Sequence, residues 1–399
     1  MPIKVLNRIQ EFFVWVLFCG ITFSNATVEI SLASIVLLFI IKKIYFRNFK
    51  LPNTPINIPL LIFGLLLLFS FTRSSYPDES LRGLIKFLKY SLLYFSVFSF
   101  FNEDALRINR FFWVIALVSL FTFLNGIFQD IFGFDILRHH EIARSDYLHR
   151  ISGSFVHAND FAAFIITLLP LTFIFFSKAT MSRNKKILLT VICLLGFYCL
   201  LRTSSRSGWI GFLIAVIIYF YFYNKKLSFL IPILVISMIF ISPNGFTRVK
   251  NLLYIGQDTL WERMQLWKGT WRMVLEHPFL GFGINTFSRN FPDFKPVEYF
   301  NLCYTHNSYL QMWSEIGLTG LVSFLLIIFV VLKVSFSQLR KKLTKGFRGK
   351  FFLGVLSGYI AFLVQAGLDT NLYSLVLQTL FWVMTALLFC LDKELEGVK

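Results

Sequence analysis

Apolar residues run through this chain in long blocks, and the short polar connections between them carry most of its charge. At about 15 to 22 residues per bilayer crossing, the blocks predict twelve helical spans. They lie near 11–24, 28–41, 57–72, 84–101, 111–128, 155–177, 187–201, 208–223, 227–242, 317–337, 351–367 and 372–391. The expected fold class is all-α, a polytopic integral membrane protein. One stretch breaks the rhythm: residues 243–306 form a loop of about 60 residues before span ten, where function is expected to concentrate. The chain then divides into nine spans over 1–242, an extracytoplasmic catalytic loop over 243–316, and three spans with a cytoplasmic tail over 317–399.

Composition excludes a soluble domain, since 56% of the 399 residues are hydrophobic, 50 are Phe, and the mean hydropathy is +0.67. A net charge of +18 in a soluble protein would suggest nucleic acid, so its placement decides its meaning. With the N-terminus inside, the cytoplasmic connections hold 23 of the 39 Lys and Arg but 6 of the 21 acids. The basic excess is therefore topology, with both termini cytoplasmic and no nucleic-acid partner implied. Lys4 and Arg8 before the Phe12–Phe23 run resemble a signal peptide, but eleven further apolar runs favour a retained first span. The five cysteines form no CxxC pair and indicate neither a disulfide framework nor a thiolate metal site. No internal repeat or low-complexity stretch is visible.

Under this topology the polar residues able to do chemistry gather on the outer face. Arg82, Lys86 and Lys89 share one face of span four; they either snorkel to the interface or form a cationic wall for an anionic lipid headgroup. The turn Arg202-Thr203-Ser204-Ser205-Arg206-Ser207-Gly208 joins two spans. Arg202 and Arg206 would share a face if it is helical, either touching lipid phosphates or clamping a ligand phosphate with the planar fork that lysine lacks.

Leu260 to Glu276 reads as an amphipathic helix lying in the bilayer interface. Leu260, Trp261, Met264, Trp267, Trp271, Val274 and Leu275 form its apolar face, with Glu262, Gln265, Gly269, Arg272 and Glu276 opposite. Arg263, at the edge of the stripe, would point to headgroup level, and Pro278 with the following glycines would end the helix. His306 precedes Ser308-Tyr-Leu-Gln311, which fits a capping box, and the positive end of that helix would disfavour imidazolium. Such a histidine is either structural or a general base. His139, His140, Glu141, Asp146 and His149 match no metal-site spacing and read as a solvated loop; no metal and no cofactor is implied.

Three stretches, TSSRSGWIGF, WERMQLWKGTWRMVLEHPFLGFGINTF and THNSYLQMWSEIGLTGL, resemble in order and spacing the O-antigen ligase and polymerase superfamily of bacterial envelope enzymes. The resemblance covers residues 150 to 330. It implies a metal-independent, inverting glycosyltransferase of the bacterial inner membrane, acting at the periplasmic face on an undecaprenyl-diphosphate-linked glycan donor. The catalytic residues it implies are Arg206, Arg263 and His306, while Arg82, Lys86, Lys89 and Arg202 match only a loosely basic, diphosphate-binding region. Expected partners are that donor, membrane lipids and a glycan acceptor, with a lipid A-core hydroxyl favoured and a polymerase acting on repeat units as the alternative. From other classes, a lipid-linked glycan transporter would show related halves and charges near mid-membrane, and an envelope scaffold would not need the Arg-Arg-His set.

Overall fold

A computed structural model describes residues 2–145, 148–176, 181–240, 259–296, 304–341 and 346–397. Among these the chain forms fourteen α-helices: α1 Pro2–Phe23, α2 Asn25–Tyr45, α3 Asn57–Thr72, α4 Pro77–Glu103, α5 Ala105–Phe132, α6 Ala158–Thr172, α7 Arg183–Thr203, α8 Arg206–Tyr223, α9 Leu230–Phe240, α10 Thr259–Glu276, α11 Phe287–Asn290, α12 Ser308–Lys341, α13 Gly346–Ala366 and α14 Leu375–Gly397. Eight helical stretches are long and apolar enough to cross a bilayer: Lys4–Phe23, Pro77–Glu103, Leu106–Phe132, Ala158–Phe176, Arg183–Thr203, Arg206–Tyr223, Ser308–Leu339 and Gly346–Ala366. The chain is a multi-pass, all-helical membrane protein. Each of the twelve expected apolar blocks overlaps one of the fourteen helices, but α2 is not among the eight, and α3, α9 and the Leu375–Leu391 part of α14 are shorter than them. Among the described residues the all-α expectation is supplemented by a hairpin of β1 Ala143–Ser145 and β2 Leu148–Arg150, paired antiparallel with Ala143 opposite Arg150, and by a bridge between Phe134 and Glu141.

Local chemistry sets the boundaries. Pro77 opens α4, where its missing N–H is harmless. Asp104 caps α5 by accepting from the Leu106 N–H at 2.9 Å, and Gly133 ends it in the left-handed region. From the last turns of α5, the buried Gln129 accepts the amides of Ser152 and Gly153 at 2.9 and 2.8 Å, which fastens the segment after the hairpin to the bundle.

At the centre, α13 lies against α6 and α8, while α14 packs on α4 and α12 on α3. Close approach depends on small residues. A Cβ added at Gly358 of α13 would stand 2.0 Å from the Thr167 carbonyl oxygen of α6, and one at Gly211 of α8 would stand 3.0 Å from that of Ala361.

The long helix α12 is broken at Gly317 (φ 69°, ψ −179°), where the expected tenth span begins. A break within an apolar helix strands backbone groups that lipid cannot satisfy. Here the Pro278–Gly283 segment supplies the partners. Phe282 N and Gly283 N donate to the Ser314 and Glu315 carbonyls at 3.1 and 2.8 Å, and Leu318 N donates to Pro278 O at 2.8 Å. Gly281 (φ 67°) and Gly317 allow this contact, since a Cβ on either would lie within 2.3 Å of the facing backbone.

The helix α10 forms where expected, and it buries a second face against the protein that includes Gly269 of the expected polar side. Leu266, Gly269, Thr270, Met273 and Val274 are its buried face, with Leu266 and Met273 packing with Phe287 and Phe291, whereas Trp271 and Leu275 of the expected apolar face are exposed. Trp271 still meets Trp313 edge-on, with ring centroids 5.4 Å apart, and Gly269 is buried because Phe291 lies against it.

Replacing Gly358 by valine should separate α6 from α13 and lower stability by roughly 1–3 kcal/mol, the usual cost of overpacking. A lower thermal midpoint of the detergent-extracted protein, with Gly358→Ala falling between wild type and Gly358→Val, would show it.

Candidate active site

The connection between α13 and α14 brings one buried carboxylate, Asp369, among segments that are far apart in sequence. Its Oδ1 accepts from the Thr370 N–H at 2.9 Å and lies 3.0 Å from His306 Nδ1. A carboxylate only accepts, so the ring proton sits on Nδ1 and the Nε2 lone pair is left for a substrate proton. The His306 side chain is 31% exposed.

His306 adopts a left-handed backbone (φ 51°) immediately before the helix cap. The capping residue is Asn307, one earlier than the expected Ser308: Asn307 Oδ1 accepts from the Tyr309 and Leu310 amides at 3.1 and 3.0 Å. Ser308 is instead committed to the Asp369 segment, with its N–H and hydroxyl both donating to the Asp369 carbonyl oxygen, at 3.1 and 2.9 Å. Gln311 Oε1 accepts from Thr305 N rather than closing a capping box.

Arg263, from α10, turns toward the connection between α13 and α14. Its Nη1 donates to Leu368 O at 2.8 Å and its Nη2 lies 3.4 Å from Asp369 Oδ2, because the carboxylate and the free carbonyl offer the guanidinium fork two acceptors. Burial pushes the Asp369 carboxyl upward, but the His306 hydrogen bond, the Arg263 charge and the Thr370 amide outweigh it, so it is held below its ordinary value.

Asn159, near the start of α6, donates through Nδ2 to Asp369 Oδ2. Its Oδ1 accepts from Ser205 Oγ at 2.9 Å and from Arg150 Nη2 at 2.7 Å, and Arg150 Nε donates to Thr203 O at 2.7 Å. The Thr203–Ser205 turn is thereby tied to the carboxylate. Ser205 caps α8 by accepting from the Gly208 N–H, and Arg206 is the first residue of that helix, half-buried.

Residues 191–325 match the family model described as O-antigen ligase. The motif resemblance is borne out. Arg202, Arg206, Arg263 and His306 all fall inside this O-antigen ligase region, and Arg150, Asn159 and Asp369 fall outside it. The chain is also 23% identical over 274 residues to a ComP-specific O-oligosaccharyltransferase of Acinetobacter baylyi, an alignment covering 60% of this chain and 46% of that protein. The chain spans about half the length of that relative.

The remaining cations of the sequence reading do not join this cluster. Ser204 takes a left-handed conformation that ends α7, so Arg202 and Arg206 are on separate helices and do not share a face. Arg202 pairs with Asp130 of α5, whose other oxygen accepts from Tyr198. On α4, Arg82 is exposed and pairs with Glu79 at 3.5 Å, Lys86 donates to Asn285 at 2.9 Å, and Lys89 pairs with Glu29 at 2.8 Å. One face holds three cations, yet three different segments answer them.

In the loop after α5, His139 and Glu141 are exposed, as expected of a solvated loop, and His140 is half-buried. The fully buried Asp135 accepts from the Leu137, Arg138 and His140 amides, while Asp146 and the His149 side chain lie outside the described residues.

Sequence reasoning missed Asp369, Asn159 and Arg150. The available signal was an acid in the short Leu368-Asp369-Thr370-Asn371 connection between two apolar blocks, where charge is uncommon.

Because the native Asp369 carboxyl is held low, its contribution to stability is complete above about pH 4 and is lost as pH falls through the native value. Asp369→Asn should therefore cost roughly 1–3 kcal/mol at pH 7, and the gap from wild type should narrow toward pH 3. Thermal midpoints of both proteins across that range measure it; a constant gap would contradict the assignment.

Proposed function

We propose that this chain is a glycosyltransferase of the O-antigen ligase type. It moves a glycan from undecaprenyl diphosphate to a hydroxyl acceptor at the outer face of a bacterial inner membrane. The observation that carries the reading is the hydrogen bond between His306 and the buried Asp369, with Arg263 on the same carboxylate. A histidine held by a carboxylate at one ring nitrogen is built to take a proton at the other.

In this mechanism His306 Nε2 removes the proton from the acceptor hydroxyl as its oxygen attacks the anomeric carbon. The bond from that carbon to the diphosphate oxygen breaks on the opposite side, so configuration inverts. Asp369 stabilises the charge the ring gains. Arg263 spends two of its five N–H groups on the Asp369 segment, and the others on its partly exposed side remain for phosphate oxygens. Arg206, at the start of α8, adds a second cation and the positive end of a helix to the leaving diphosphate. These groups meet the developing charge without calling on a metal. Residues 243–316 supply Arg263 and His306 in this scheme, 1–242 supply Arg206 and Asn159, and 317–399 supply Asp369.

The twelve-span topology with both termini cytoplasmic is supported by where these residues sit. Asn159, Arg206 and Ser308 are at helix starts and Thr203 and Ala366 at helix ends, so consecutive crossings deliver them to one face. The basic residues Lys333 and Lys341 at the end of α12 and Arg348 and Lys350 at the start of α13 lie at the other. For the acceptor, a lipid A-core hydroxyl is the first reading. The name of the Acinetobacter baylyi relative favours a second, in which an oligosaccharide is passed to a hydroxyl of a protein.

His306→Ala should lower transfer by at least about a hundredfold, and Arg206→Lys and Arg263→Lys should remain impaired because lysine lacks the planar fork. Comparing the lipid-linked, lipid A-core and protein-linked glycan fractions of a deletion strain complemented with each variant checks this. Polymer held on undecaprenyl diphosphate with a bare core supports the ligase reading, loss from protein supports the second, and wild-type transfer by His306→Ala removes the base.

A further inference from the structure

The hydrogen bonds around Asn159 assign the amide a definite orientation. Arg150 can only donate and Asp369, as a carboxylate, can only accept, so Oδ1 must face the guanidinium and Nδ2 the carboxylate. The Ser205 hydroxyl joins Arg150 on Oδ1, and the Asn159 backbone carbonyl accepts from Gln365 Nε2 of α13 at 3.1 Å. One end of this side chain therefore holds the carboxylate that orients His306. The other holds the cap of the helix that begins with Arg206, both directly and through Arg150 on the Thr203 carbonyl.

We propose that Asn159 is a positioning residue whose amide sets the spacing between the Arg206 turn and the His306–Asp369 pair. The proposal rests on the transferase reading above. The chemistry requires this residue type. Aspartate would present two acceptors, one of them against Asp369, and alanine would leave the Ser205, Arg150 and Asp369 groups without their shared partner. In a transferase, the base and the leaving-group cations have to lie on opposite sides of one carbon, and displacements near 1 Å are costly. A single rigid amide between the two groups supplies that constraint.

Full-length wild type, Asn159→Asp, Asn159→Ala, Asp369→Asn and the Asn159→Ala/Asp369→Asn double variant, in native membranes, test it. One readout is consumption of undecaprenyl-diphosphate-linked glycan per folded protein from pH 5 to 9. The other is the pH midpoint of diethyl pyrocarbonate modification of His306, read by mass spectrometry. We expect Asn159→Asp to raise both the acid limb of activity and the labelling midpoint by about one pH unit, since an added anion favours ring protonation. Asn159→Ala should slow turnover about tenfold, and the double variant should be little slower than Asp369→Asn alone because both act through one carboxylate. An unmoved labelling midpoint with additive losses overturns the proposal. If wild type consumes no donor, the transferase reading fails, and the labelling midpoint still decides whether Asn159 acts on His306.

Discussion

A buried anion in an apolar bundle is tolerated only when donors surround it, and Asp369 meets that condition with groups drawn from four separate segments. His306, Arg263, Asn159 and the Thr370 amide each reach its oxygens, and Ser308 holds its carbonyl. Satisfying this one carboxylate brings together residues more than 200 positions apart. The histidine gains its tautomer, and the arginine its direction, from the same requirement. Charge neutralisation and site assembly are here a single event.

The second constraint is the backbone of α12. Its break at Gly317 would be unaffordable in lipid, but the Pro278–Gly283 segment pairs with the freed amides and carbonyls. Glu315 extends the clasp by accepting from the Asn285 and Phe287 amides and from Tyr373 Oη, each at 3.0–3.1 Å. The segment after α10 is thus fixed to the helix that begins beside His306. That attachment, with Trp267 donating to Thr305 O at 2.9 Å, holds Arg263 and His306 in one frame although about forty residues separate them.

The polar clusters that stay outside the site have equally local reasons. Arg202 answers Asp130, and the α4 cations answer Glu79, Asn285 and Glu29, so basic density alone does not mark where a phosphate binds. What separates Arg263 from these is its neighbour: the carboxylate that engages it also engages a histidine.

The sequence by itself determined the apolar blocks, hence the membrane class and the placement of nearly every helix, because hydrophobic length is a local property that lipid reads directly. It also determined Arg206, Arg263 and His306 as candidates, since their motifs are contiguous. The end of α10 at Pro278 and the span beginning at 317 were legible for the same reason. Tertiary structure decided the rest. Which face of α10 is buried depends on Phe287 and Phe291, and which residue caps α12 depends on Ser308 being taken by Asp369. The roles of Asp369, Asn159 and Arg150 depend on pairings that reach across as many as 210 residues, and no local pattern encodes a hydrogen bond whose partner is set by how helices pack.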